Sequence, residues 1–168
     1  MLKQRDLPEP IKSQGCFFMS CIYPAQKITG YTFSHKEVDF LWLEAIAKGY
    51  IIESSWTDNK GHQRTAYKVR TSAKIMNLAM REAGSNREFH EIGTFSGGKF
   101  NWYALGNNPE YRKPNAFLIQ KVKVDNDEGG EHFRVVDRFG NVIYDPETLK
   151  YKMRSIVYSI CYYLEAVK

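Results

Sequence analysis

Cys16 is the residue whose surroundings in this sequence best suit nucleophilic chemistry. The thiolate of cysteine is a strong nucleophile, and the N-terminus of a helix stabilises it through the helix dipole. Cys16 follows Gln14-Gly15 and opens an apolar run, so we predict a helix that begins at the cysteine. Gly15 would leave room for a substrate, and the Gln14 amide would join backbone N–H groups in an oxyanion hole. The alternative for Cys16, taken alone, is an inert thiol buried in an apolar helix.

A histidine and an aspartate later in the chain are the partners that a nucleophilic thiol needs. His132 lies early in a predicted strand, after a glycine turn. A two-residue hairpin turn at 138–139 would place His132 opposite Asp145, and a bulge or a longer turn would shift the pairing by one residue. In either register we expect His132 to act as general base and Asp145 to orient its ring. The alternatives are a half-exposed histidine at a strand end and an Asp-Pro strand terminator.

Helices are predicted in the first half of the chain. Residues 1–13 are predicted to be extended, since Pro8 and Pro10 disfavour helix in the residues before them. The Cys16 helix should end before Pro24, and a buried strand is the competing interpretation of that run. A capping box at Ser34 and apolar residues at helical spacing predict a helix over 34–48. A shorter amphipathic helix is predicted over 71–83.

Strands are predicted in the last third of the chain, at 116–124, 131–136, 141–144 and 154–164. A C-terminal helix is the alternative for the last of these, and a short strand is also expected at 50–53. Helices followed by an antiparallel sheet make an α+β fold, and 168 residues suit one domain.

The segment 85–115 is rich in glycine, asparagine and aromatic residues and has no clear periodicity. We interpret it as a long functional loop region. Trp102 and Tyr103 in this segment are candidates to line a substrate cleft, and an aromatic core patch is the alternative.

Bulk composition narrows the classes of partner. No stretch approaches the roughly 20 apolar residues of a membrane span, and the N-terminus lacks a secretory signal. Three cysteines predict free thiols rather than a disulfide framework, so we expect a cytoplasmic protein. The histidines and cysteines lack zinc-site spacing, and no metal or cofactor is implied. The basic and aromatic residues of 56–70 suit the solvated face of a hairpin better than a nucleic-acid interface.

Two motifs carry a resemblance to a known family. The order is a cysteine at a helix start, then His-Phe-x-Val-Val at 132–136, then Val-x-Tyr-Asp-Pro at 142–146. This order resembles the papain-like cysteine peptidases, and within them the compact bacterial branch that includes the bacteriocin-processing peptidases. The resemblance implies Cys16 as nucleophile, His132 as base and Asp145 as the residue that orients it. It also implies a cysteine-bearing helix packed on an antiparallel sheet.

The sequence therefore predicts a papain-like peptidase or amidase that acts on a peptide or peptidoglycan-like substrate. Phe133, beside the histidine, is a further candidate for substrate contact. A phage or bacterial wall-peptide hydrolase released by lysis and an intracellular processing peptidase fit equally well. The alternatives are a non-catalytic binding domain on the same fold and, less favoured, a basic nucleic-acid-binding module.

Overall fold

The computed structural model describes residues 2–96, 116–125, 130–137, 139–147 and 150–167. Its helices are a short 3₁₀ helix, Gln4–Asp6, followed by α1 (Ile11–Gln14), α2 (Cys16–Thr29), α3 (His35–Ala47) and α4 (Ser72–Glu82). Its strands are β1 (Ile51–Thr57), β2 (Gln63–Val69), β3 (Phe89–Ser96), β4 (Ala116–Asp125), β5 (Gly130–Val136), β6 (Val142–Tyr144) and β7 (Lys152–Leu164). The predicted α+β class is confirmed.

The helix that carries the cysteine begins at Cys16, as predicted, but its predicted end before Pro24 is wrong. The helix continues to Thr29 and ends at Gly30, whose φ of 73° is the left-handed conformation that glycine adopts readily. Proline removes one helical hydrogen bond. Apolar packing on both sides of Pro24 outweighs that loss, because Ile22 and Ala25 are both buried.

The capping box predicted for α3 is present. The Ser34 hydroxyl accepts a hydrogen bond from the Glu37 N–H at 3.3 Å, and the Glu37 carboxylate accepts one from the Ser34 N–H at 2.7 Å. The predicted helix over 71–83 is confirmed as α4, which packs against α2.

The predicted extended lead-in over residues 1–13 is wrong, since it contains the 3₁₀ helix and α1. Pro10 occupies the N-cap position of α1, where a missing N–H costs nothing because that N–H would have no partner inside the helix. The Pro8 carbonyl accepts a hydrogen bond from the Lys12 N–H at 3.1 Å. The two prolines therefore start a helical turn instead of preventing one.

The strands form two antiparallel sheets. β1 and β2 pair as a hairpin, and the other five strands follow the order β3-β7-β4-β5-β6. Strand β1 extends to Thr57, further than the predicted 50–53. Part of the predicted loop region 85–115 is strand β3, whereas Trp102 and Tyr103 lie outside the described residues. The last strand is confirmed as β7, and the alternative of a C-terminal helix is excluded.

The main core lies between the helices and one face of the five-stranded sheet. Large buried side chains from α2, α3 and α4 meet Ile119, Val135 and Ile160, which are cross-strand neighbours on that face. This packing fixes the start of α2 against strand β5, where the candidate site lies. No helix among the described residues is long and apolar enough to cross a membrane.

Candidate active site

The candidate nucleophile, Cys16, is the first residue of α2 and is half-buried, whereas Cys21 and Cys161 are fully buried. Gly15 is the N-cap and lies tightly against α1. A Cβ atom at Gly15 would meet the Ile11 carbonyl oxygen and its Cγ2 atom, each at 2.5 Å. Glycine is thus required there by the packing of α1 against α2. The predicted role of Gly15 in making room for a substrate stays a prediction.

The three residues predicted to form a triad are brought together. His132 lies on β5 and is only 6% exposed. Its Nε2 atom is 2.6 Å from Oδ1 of Asp145. Cys16 is close enough to His132 to raise the pKa of the ring as well. The imidazole therefore interacts with both the carboxylate and the thiol.

The hairpin between β5 and β6 forms this contact through a different register from the one predicted. Val136 pairs with Val142, and Val135 pairs with Tyr144 across a bulge. The predicted two-residue turn is wrong because the Asp137 carboxylate accepts hydrogen bonds from the N–H groups of Phe139 and Asn141, at 2.8 and 2.9 Å. These bonds stabilise a longer turn. The added residues and the bulge leave Asp145 just past the end of β6, still beside His132.

Two further groups hold the Asp145 carboxylate. The Tyr151 hydroxyl donates a hydrogen bond to Oδ2, and the Glu147 N–H donates one to Oδ1 at 2.9 Å. Burial raises the pKa of Asp145, but the hydrogen bonds from His132 and Tyr151 outweigh burial and leave that pKa below its usual value. Asp145 is therefore an anion at neutral pH. Tyr151 was missed by the sequence reasoning because it belongs to no motif.

The histidine is held in its charged form. Burial lowers the pKa of His132, but hydrogen bonds to Asp145 and Cys16, with the attraction of both groups, outweigh burial and raise it to about 9. At pH 7 the ring is therefore an imidazolium beside the Asp145 carboxylate and close to Cys16.

An N-terminal strap, residues 2–6, fastens the segment that carries Asp145. The Lys3 ammonium donates a hydrogen bond to the Asp145 carbonyl oxygen at 2.5 Å. The Arg5 guanidinium binds both carboxylate oxygens of Glu147, at 2.7 and 3.0 Å. The Gln4 N–H donates to the Pro146 carbonyl at 2.9 Å. No sequence signal predicted this strap, since its partners lie about 140 residues away.

Gln14 is placed beside Cys16, and its side chain is bound to the edge of β2. Its Nε2 atom donates to the Thr65 carbonyl at 2.9 Å, and its Oε1 atom accepts from the Tyr67 N–H at 3.0 Å. An amide nitrogen has two N–H groups, so one remains available to an oxyanion. Gln14 thus ties the residues before the nucleophile to the hairpin, and its predicted oxyanion role stays a prediction.

A cleft of about 320 Å³ opens beside the thiol, between the β1–β2 hairpin and the five-stranded sheet. Phe133, predicted to contact substrate, lines it and stacks on Phe17 with ring centroids 4.1 Å apart. Its lining residues are Gln14, Cys16, Phe17, Trp42, Ile51, Tyr67, Lys68, Val69, Lys121, Phe133 and Tyr158. Cys16 therefore borders a cavity that is large enough to hold part of a ligand.

The described residues contain no group of three or more His, Cys, Asp or Glu side chains arranged to hold a metal ion. Comparison with family models, curated proteins and solved structures returned no significant match for this chain.

Proposed function

We propose that this chain is a papain-like cysteine peptidase or amidase that cleaves a peptide or peptidoglycan-like substrate through Cys16, His132 and Asp145. The observation that carries the proposal is the buried His132 ring, which binds the Asp145 carboxylate at 2.6 Å and whose pKa is raised by Cys16 as well as by Asp145. The thiol of Cys16 also lies at a helix N-terminus and at the rim of a cleft. A histidine held by a carboxylate and close to such a thiol matches the needs of nucleophilic catalysis.

Acylation would begin when Sγ of Cys16 attacks the carbonyl carbon of the scissile amide. The C–S bond forms, and the electron pair of the C=O bond moves to oxygen as an oxyanion. The first N–H groups of α2 have no partner within the helix, so they can donate to that oxyanion. The free N–H of the Gln14 amide is a second candidate donor.

The His132 imidazolium then gives its proton to the leaving nitrogen as the C–N bond breaks, which leaves a thioester on Cys16 and releases the amine. Neutral His132 next removes a proton from water, and the resulting hydroxide attacks the thioester. The acid leaves, and the thiolate–imidazolium pair is restored. Asp145 stays ionised throughout and holds the ring through Nε2.

The first experiment is the rate of alkylation by iodoacetamide at each cysteine, followed by peptide mass spectrometry. Cys16 is expected to react at pH 6–7 at least about tenfold faster than a free thiol such as glutathione, since the imidazolium stabilises the thiolate. His132→Ala should remove that advantage. Cys21 and Cys161 serve as internal controls, because burial raises the pKa of both thiols, that of Cys161 to about 12.

His90→Ala is the matched control variant. His90 also lies on a strand and also binds a carboxylate, that of Glu165 at 3.1 Å, but it is far from the cysteine in the fold. The control should leave the rate at Cys16 unchanged. If Cys16 reacts no faster than glutathione, or if His132→Ala and His90→Ala have equal effects, the catalytic proposal is wrong and a binding function becomes the better interpretation.

A further inference from the structure

The cleft beside Cys16 has an uneven distribution of charge. Two of its lining residues are lysines, Lys121 on β4 and the exposed Lys68 on β2. None of the described residues that line it is acidic. With the His132 imidazolium behind the thiol, the described part of the cleft presents positive charge to a substrate.

Lys121 lies among aromatic rings. It pairs directly across the sheet with Phe133 and Tyr158, and its Nζ atom is 5.9 and 5.6 Å from their ring centroids. Its side chain is 21% exposed and its Nζ atom is 2.6 Å from Oε2 of Glu131, whose side chain is 50% exposed. An exposed carboxylate contributes little to such a pair, so a ligand carboxylate can replace it.

The remaining lining of the cleft is mostly apolar and aromatic, with Phe17, Trp42 and Tyr67 opposite the sheet. A volume of about 320 Å³ is at the lower end of ligand pockets, and it suits one large apolar side chain with adjoining backbone. Aromatic walls with the Lys121 ammonium beside two of their rings would bind an apolar group that has an anion next to it.

We propose that the substrate bound in this cleft carries a carboxylate next to a large apolar residue, and that Lys68 and Lys121 select it. This inference rests on the proposed function, since it treats the cleft as the substrate site of Cys16. The carboxylate belongs either to an acidic side chain or to the free end of a peptide. Both sources present the same chemistry to the two lysines.

The test compares alkylation of Cys16 by iodoacetate, which is anionic, with alkylation by iodoacetamide, which is neutral and of similar size. The ratio of the two rates is divided by the same ratio for glutathione. Wild type should show a preference for iodoacetate, and Lys68→Gln and Lys121→Gln should each lower the ratio about threefold at low salt. Lys36→Gln is the control, because Lys36 is an exposed lysine on α3 that does not line the cleft.

Glu131→Gln should change the ratio of the two alkylation rates in the opposite direction. Removing the carboxylate that pairs with Lys121 should raise the preference for iodoacetate, so the proposal remains testable even if Lys121→Gln folds poorly. A ratio that is unchanged in both lysine variants and in Glu131→Gln overturns the inference. The iodoacetamide rate alone tests the proposed function, so the two failures are distinguishable.

Peptides then identify the source of the carboxylate. Protection of Cys16 from iodoacetamide is measured with acetyl-Ala-Phe-Glu-Ala-amide, acetyl-Ala-Phe-Gln-Ala-amide and acetyl-Ala-Phe with a free carboxyl end. Stronger protection by the first peptide than by the second would show that the lysines bind an acidic side chain. Stronger protection by the third peptide would show that they bind the free carboxyl end of a peptide. Equal protection by all three contradicts the proposal.

Discussion

Raising the pH from 6 to 10 should destabilise this protein through His132. The pKa of His132 is about 9 in the folded chain, and an unperturbed histidine has a pKa of about 6.5. Because folding raises this pKa, the stabilising contribution is fully present below about pH 6.5. It is lost as the pH rises through about 9, where the folded imidazolium loses its proton.

The size of this destabilisation follows from the difference between the pKa of His132 in the folded and in the unfolded chain. Each pKa unit corresponds to about 1.4 kcal/mol, so a change from 6.5 to about 9 is worth about 3 kcal/mol in the free energy of unfolding. His132 is almost fully buried, which limits solvent screening of its two interactions. A loss of this size is a substantial part of the stability of a small domain.

The assay is equilibrium unfolding in urea at a series of pH values for wild type and His132→Gln. The glutamine variant should be less stable than wild type at pH 6, and the difference should shrink by about 3 kcal/mol by pH 10. In Cys16→Ser the free energy of unfolding should depend less on pH than in wild type. One of the two residues that raise the pKa of His132 is absent from this variant.

If the free energy of unfolding changes with pH by the same amount in wild type and in His132→Gln, the reasoning is refuted. NMR titration of the ring of His132, assigned by its absence from the glutamine variant, provides an independent check of the pKa. Titration near 6.5 would show that the hydrogen bonds to Asp145 and Cys16 do not form in solution.

Two further predictions concern the supports of the site. Gly15→Ala should destabilise the fold by about 1–3 kcal/mol in urea unfolding, because its Cβ would lie 2.5 Å from the Ile11 backbone oxygen; an unchanged midpoint would show that the two helices separate easily. Tyr151→Phe keeps the ring but removes the hydrogen bond to Asp145, which should cost about 1–2 kcal/mol and slow iodoacetamide alkylation of Cys16. Wild-type values for both measurements would exclude a positioning role for the hydroxyl.

The sequence predicted the contact between His132 and Asp145 for a reason that survives an error in register. The longer turn and the bulge each shift the pairing by one residue, and a total shift of two keeps the side chains on the same face of the sheet. The length of the turn itself could not be predicted in this way. The length of the turn depends on the hydrogen bonds that the Asp137 carboxylate accepts, and these bonds have no distinctive pattern in the sequence.

Contacts between distant parts of the chain were beyond sequence reasoning. Gln14 was identified by its type and position, but its bonds to β2 depend on the packing of a hairpin 50 residues later. The path of α2 through Pro24 similarly reflects burial, which a local rule about proline does not include. Local propensity located the elements, and tertiary packing decided their ends and their partners.

The strap at residues 2–6 has a consequence for the order in which the protein matures. Its bonds to Asp145 and Glu147 join residues 142 positions apart, so they close one of the longest loops in the chain. Such contacts form late in folding, because their loop entropy must be overcome before they stabilise anything. During synthesis the Asp145 carboxylate leaves the ribosome long after Cys16, so the contact between His132 and Asp145 is assembled only after residue 147 has been made. Until then Cys16 and its surroundings lack the support of this carboxylate.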